Sequence, residues 1–131
     1  MADIDWKELL GWGNTQIQDL QFAGYTYAKE GKYDIALTIF HGLSVLEPQS
    51  SYNLKTLGAI QLQIGQNIEA LNTLEKALKL DPESFEIRLN RVKALYALGY
   101  RDQGTQEAKA LMHSPNATIA NTATALNNSY T

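Results

Sequence analysis

The chain contains no cysteine, which excludes disulfides, zinc–thiolate sites and thiol nucleophiles together. A reducing compartment suits such a chain. No segment reaches the ~18–20 consecutive apolar residues that a membrane-spanning helix needs. The opening MADIDWKELLGWG is acidic and lacks the basic stretch and long apolar run of a secretory signal. A cytoplasmic location without membrane insertion is therefore expected. An excess of basic charge is lacking too: 11 Lys and Arg stand against 14 Asp and Glu, for a net charge of -3. Nucleic acid is not an expected partner, because phosphate binding requires a basic footprint that releases counterions. The charge is uneven, however. Acids dominate up to Pro48, whereas Arg88, Arg91, Lys93, Arg101 and Lys109 make the later part locally basic, either as a solvated helix face or as a surface for an acidic partner.

Catalytic signatures are equally scarce. The two histidines, His41 and His113, fall in expected second helices of repeat units, with no acid or serine partner at a motif spacing. There is no His-Glu-x-x-His segment, no glycine-rich phosphate loop and no calcium-loop ladder of acids. A non-catalytic protein is expected, with no metal and no cofactor.

What the sequence does have is a repeat. GKYDIALTIFHGLSVLEP, from Gly31 to Pro48, is echoed by GQNIEALNTLEKALKLDP, from Gly65 to Pro82, and more roughly by GYRDQGTQEAKALMHSP, from Gly99 to Pro115. Gly24 pairs with Gly58, Gly31 with Gly65 and Gly99, Ala36 with Ala70, Leu46 with Leu80 and Pro48 with Pro82, all 34 residues apart. Five coincidences in one register identify a tandem array. Between these landmarks apolar residues recur every three or four positions, as in Ile68, Leu71, Leu74 and Leu78, the spacing of an amphipathic helix. Each unit therefore reads as two helices of about thirteen residues, joined at Gly31, Gly65 or Gly99, where the left-handed conformation ends the first helix. Glu47-Pro48 and Asp81-Pro82 end the second. Gly24 and Gly58 fall within the first helices, where glycine costs up to ~1 kcal/mol relative to alanine. The expected reason is close approach of Ala36 and Ala70.

These residues resemble the tetratricopeptide repeat (TPR) family, with Leu20, Gly24, Tyr27, Ala36, Phe40 and Pro48 in one unit and Leu54, Gly58, Ala70, Leu74, Ala77 and Pro82 in the next. A third unit keeps Gly99, Ala108 and Leu111 but has Val92 and Gly104 where the pattern has a small residue and alanine. The resemblance implies an all-α fold: three tandem helix-turn-helix units in a right-handed superhelical solenoid with short N- and C-terminal flanking helices. One domain, 1–131, would comprise an N-terminal helix at 3–12, units at 17–50, 51–84 and 85–116, the last degenerate, and a C-terminal capping helix and tail at 117–131.

In that family the concave face is lined by positions 2, 5, 9 and 12 of each unit. Here these are Gln18, Gln21, Tyr25 and Ala28, then Tyr52, Lys55, Ala59 and Leu62, then Glu86, Leu89, Lys93 and Tyr96. The resemblance implies a peptide-binding groove of Gln21, Tyr25, Tyr52, Lys55, Ala59, Leu62, Leu89, Lys93 and Tyr96. The other reading of several of them is that they close the core against the terminal helices. The two-carboxylate clamp by which some members hold acidic heat-shock-chaperone tails is absent, because its places hold Gln21, Tyr25, Thr56, Glu86 and Asn90.

A small, acidic, cysteine-free array of this kind is similar to the bacterial type III secretion chaperones, a likeness carried also by LNRVKALYALGYRDQG, Leu89 to Gly104. That likeness implies a cytoplasmic chaperone whose client is an amphipathic helix or extended segment of a secreted needle or translocator subunit. The short segment before the first unit favours the needle-subunit kind. Trp6, Leu9, Leu10 and Trp12 would form a surface for a second small helical co-chaperone or for self-association, or else cap unit one. The rival reading is a generic scaffold that assembles a complex without a chaperone role.

Overall fold

The computed structural model describes residues 4–130, all of whose regular structure is helical. A short α1 (Trp6–Leu10) is followed by three helix pairs and a final helix: α2 (Asn14–Lys29) with α3 (Tyr33–Leu46), α4 (Ser51–Gln63) with α5 (Asn67–Leu80), α6 (Phe85–Ala97) with α7 (Arg101–Leu111), and α8 (Ala117–Tyr130). The expected N-terminal helix began at Asp3, which lies outside the described residues. Within them α1 ends at Gly11, whose φ is 69°.

The same local chemistry builds each pair. Gly31, Gly65 and Gly99 have φ of 78°, 82° and 84°. This left-handed turn lets the next N–H, from Lys32, Gln66 or Tyr100, donate back to the carbonyl of Tyr27, Gln61 or Leu95 at 2.9, 2.8 and 2.9 Å. The carbonyls left over at the end of the first helix are thereby satisfied. Ser50 and Ser84 accept the N–H of Asn53 and Ile87 and so start α4 and α6. Asn116 does the same for α8, accepting from Thr118 and Ile119 at 3.0 and 3.3 Å.

From α2 onward each helix packs on the next in sequence, α1 packs on α3, and in addition α4 packs on α6 and α6 on α8. No comparable packing joins α3 to α5 or α5 to α7. The first helices α4 and α6 and the last helix α8 thus lie against one another, and α2 joins them through the Gln21–Asn53 hydrogen bond, which gives the array an inner face made of α2, α4, α6 and α8. The core falls into three clusters, with Phe40 and Leu43 central in the first unit, Leu74 and Ile87 in the middle, and Leu111 and Val92 in the third.

The helical glycines have partners other than the alanines expected. A Cβ on Gly24 would lie 2.7 Å from a ring carbon of Phe40, and one on Gly58 would lie 2.7 Å from Cγ of Leu74. Small therefore meets large, one helical turn beyond Ala36 and Ala70. In the third unit this pair is inverted: Val92 stands at the glycine position and Ala108 at that of Phe40 and Leu74, both fully buried. Gly104 has a separate cause, because a Cβ there would lie 2.9 Å from the Tyr96 ring. The third copy has been re-paired rather than worn.

Candidate peptide-binding face

The expected groove residues divide by unit. On α2 and α4, Tyr25 and Tyr52 are 48% and 43% exposed, Ala59 is open to solvent, and Gln21, Lys55 and Leu62 are half-buried. On α6, Leu89 and Tyr96 are only 8% and 4% exposed. Leu89 shares a core with Ile119 and Ala123 of α8. Tyr96 stacks in parallel on Tyr130 of α8 with ring centroids 4.3 Å apart, and its hydroxyl lies 3.0 Å from that of Thr105. These two side chains close the core against the last helix, the second of the two roles the sequence left open. Lys93 stays half-exposed on α6. The accessible face is therefore that of α2 and α4, ending at Lys93.

Polar contacts tie the inner helices together. The Gln21 amide donates to Oδ1 of Asn53 at 2.8 Å, joining α2 to α4, and Asn53, fully buried, donates in turn to Glu47 at 3.3 Å. The other Glu47 oxygen meets Nζ of Lys7 at 3.2 Å, so a single chain of contacts runs from α1 to the inner face. Lys55 bridges α4 to α6 through Glu86 at 2.8 Å. These pairs are partly exposed, so each contributes little alone, ~0–1 kcal/mol; their effect is to hold the register of the inner helices.

Phe22 belongs to the same face and was missed. It is 72% exposed, and it lies three residues before Tyr25, hence on the same side of α2. Its signal was in the sequence, since Thr56 and Asn90, examined for the absent clamp, are its equivalents in the later units. Lys29 is a further member: its ammonium lies 5.3 Å from the centre of the Tyr25 ring, as Lys55 lies 5.5 Å from that of Tyr52. Of the basic residues gathered in the third unit, Arg88 and Arg91 pair with Glu107 and Glu75. They serve packing of the stack.

The tryptophan cluster also divides. Trp12 packs on the core of the first unit, whereas Trp6, Leu9 and Leu10 are exposed, Leu9 by 67%. A cleft of about 510 Å³ opens between α1 and the end of α3, lined by Ile4, Lys7, Val45 and Pro48 among others. The histidines are exposed: His41 lies on α3, and His113 falls in the turn after α7 rather than within a second helix. Among the described residues no group of three or more His, Asp or Glu could hold a metal ion, and no helix is long and apolar enough to cross a membrane.

The fold is that of a helical solenoid like those of tetratricopeptide-repeat proteins. Residues 58–99 match the family model described as TPR repeat. Among curated protein sequences none matches the chain. Solved structures of similar fold include PcrH of Pseudomonas aeruginosa in complex with the chaperone-binding region of PopD, 23% identical with a TM-score of 0.81, covering 92% of this chain and 94% of that one. The Yersinia enterocolitica type III secretion chaperone SycD in complex with a peptide of the translocator YopD is 16% identical, with a TM-score of 0.81 and coverage of 90% and 94%. The first TPR of Spaghetti (RPAP3) bound to an HSP90 peptide is 18% identical, with a TM-score of 0.78 and coverage of 89% and 94%.

Proposed function

We propose that the chain is a non-catalytic, cytoplasmic type III secretion chaperone that shields an amphipathic segment of a secreted subunit along the inner face of α2 and α4. The observation that carries this reading is the row of exposed aromatic side chains, Phe22, Tyr25 and Tyr52, on an otherwise well-packed fold. Large exposed apolar side chains gathered on one face mark a candidate binding site. Aromatic anchors on helices suit the capture of an amphipathic helix or an extended segment. Masking that segment would keep the subunit from assembling before export.

The similar structures are SycD, a type III secretion translocator chaperone, and PcrH, bound to the chaperone-binding region of PopD, each matched over nearly its whole length. This favours a translocator client over the needle subunit that the short leading segment suggests. The fold alone also carries an HSP90-peptide binder, but the carboxylate-clamp residues are missing here, which argues against that partner. A peptide of the PopD chaperone-binding region serves as a probe. It should bind the wild-type chain, and Tyr25→Ala with Tyr52→Ala should weaken binding at least ~10-fold, the scale of losing ~1.4 kcal/mol or more at an aromatic anchor, while the helical signal is unchanged. Undiminished binding by the folded double variant would remove the inner face from the site.

A further inference from the structure

We infer that the client segment held on this face carries acidic side chains beside its apolar ones, an inference that rests on the chaperone reading above. The chain as a whole has a net charge of -3, yet its inner face is positive. At the groove-facing positions, counting Lys29 through its stacking on Tyr25, the charged groups are Lys29, Lys55, Lys93 and Glu86. Glu86 is already occupied by Lys55 at 2.8 Å. Lys93, half-exposed on α6, and Lys29, exposed at the end of α2, make no ion pair among the described residues. α8, which extends the same face, contains no charged residue at all.

Two unpaired ammonium groups thus flank the aromatic strip made by Phe22, Tyr25 and Tyr52, while the one acid at the groove-facing positions, Glu86, is held by Lys55. An isolated surface lysine needs no partner, and among the described residues Lys76, Lys79, Arg101 and Lys109 are likewise unpaired on the outer helices, but two free cations flanking an apolar face present a charge pattern complementary to an apolar, acidic segment. Such complementarity selects among partners and speeds encounter more than it adds to raw affinity. A basic amphipathic segment would meet Lys29 and Lys93 as like charges and be rejected. The strip thus supplies grip and the lysines supply choice.

Three synthetic amphipathic peptides with one Leu/Phe face, flanked by Glu, by Gln or by Lys, test this by fluorescence anisotropy. The Glu-flanked peptide should bind ~10-fold or more tighter than the Lys-flanked one at low salt, and the gap should close toward 1 M salt, where screening acts within about 3 Å. In a Lys29→Gln, Lys93→Gln variant whose helical signal is unchanged the ratio of Glu-flanked to Lys-flanked binding should fall toward one, and a ratio kept at the wild-type value would overturn the assignment. Equal binding of all three peptides by the wild type, or preference for the Lys-flanked one, overturns the charge assignment and leaves the apolar face standing. Failure of all three to bind overturns both.

Discussion

Gly58 lies inside α4, where alanine would be preferred by ~1 kcal/mol, and yet its Cβ would lie 2.7 Å from Cγ of the fully buried Leu74. Forcing an added methyl into a packed interior costs about 1–3 kcal/mol, so the steric cost wins. Gly58→Ala should lower stability in a urea titration, and replacing the pair by that of the third unit, Gly58→Val with Leu74→Ala, should recover much of the loss. A Gly58→Ala chain as stable as the parent would dismiss the close approach. The sequence marked Gly24 and Gly58 as unusual but assigned them the wrong partners. Ala36 and Phe40, or Ala70 and Leu74, are one turn apart on one helical face, and periodicity selects a face without selecting the turn that makes contact.

Among the elements, α8 departs furthest from what the sequence made legible. The six helices of the repeat were readable because glycine turns and prolines recur through a 34-residue period. α8 was expected as a short cap around Ile119, Ala123 and Leu126, but it extends to Tyr130 and covers Leu89 and Tyr96. Those two positions line a groove when no helix follows and a core when one does, and only tertiary packing decides which. Ile119→Asp would bury an unpaired carboxylate against Leu89, at a cost of several kcal/mol. In an array whose units touch only their neighbours, hydrogen exchange should accelerate across α6 to α8 and much less across α2 to α4. Uniform acceleration along the chain would mean that α8 supports the whole fold, and no acceleration would mean that its packing is unimportant.

For the whole molecule, the contacts that join the inner helices and the exposed aromatic side chains lie on one face. The first helices close on one another through Gln21–Asn53 and Lys55–Glu86, and the same face carries Phe22, Tyr25 and Tyr52 in solvent. The TPR pattern located Tyr25 and Tyr52 from sequence, because the positions that face inward follow from helical register. It could not separate them from Leu89 and Tyr96, which have the same register but a covering helix. The most direct measurement is site-specific photocrosslinking in the native cell, with benzoylphenylalanine placed at Tyr25 or Tyr52 and, as an outer-face control, at the exposed Lys76 of α5. The account predicts that both inner positions capture the same secreted subunit, whose export fails when the chain is deleted, and that Lys76 captures none of it. Capture of that subunit from Lys76 alone, or of no secreted protein from either tyrosine, would contradict it.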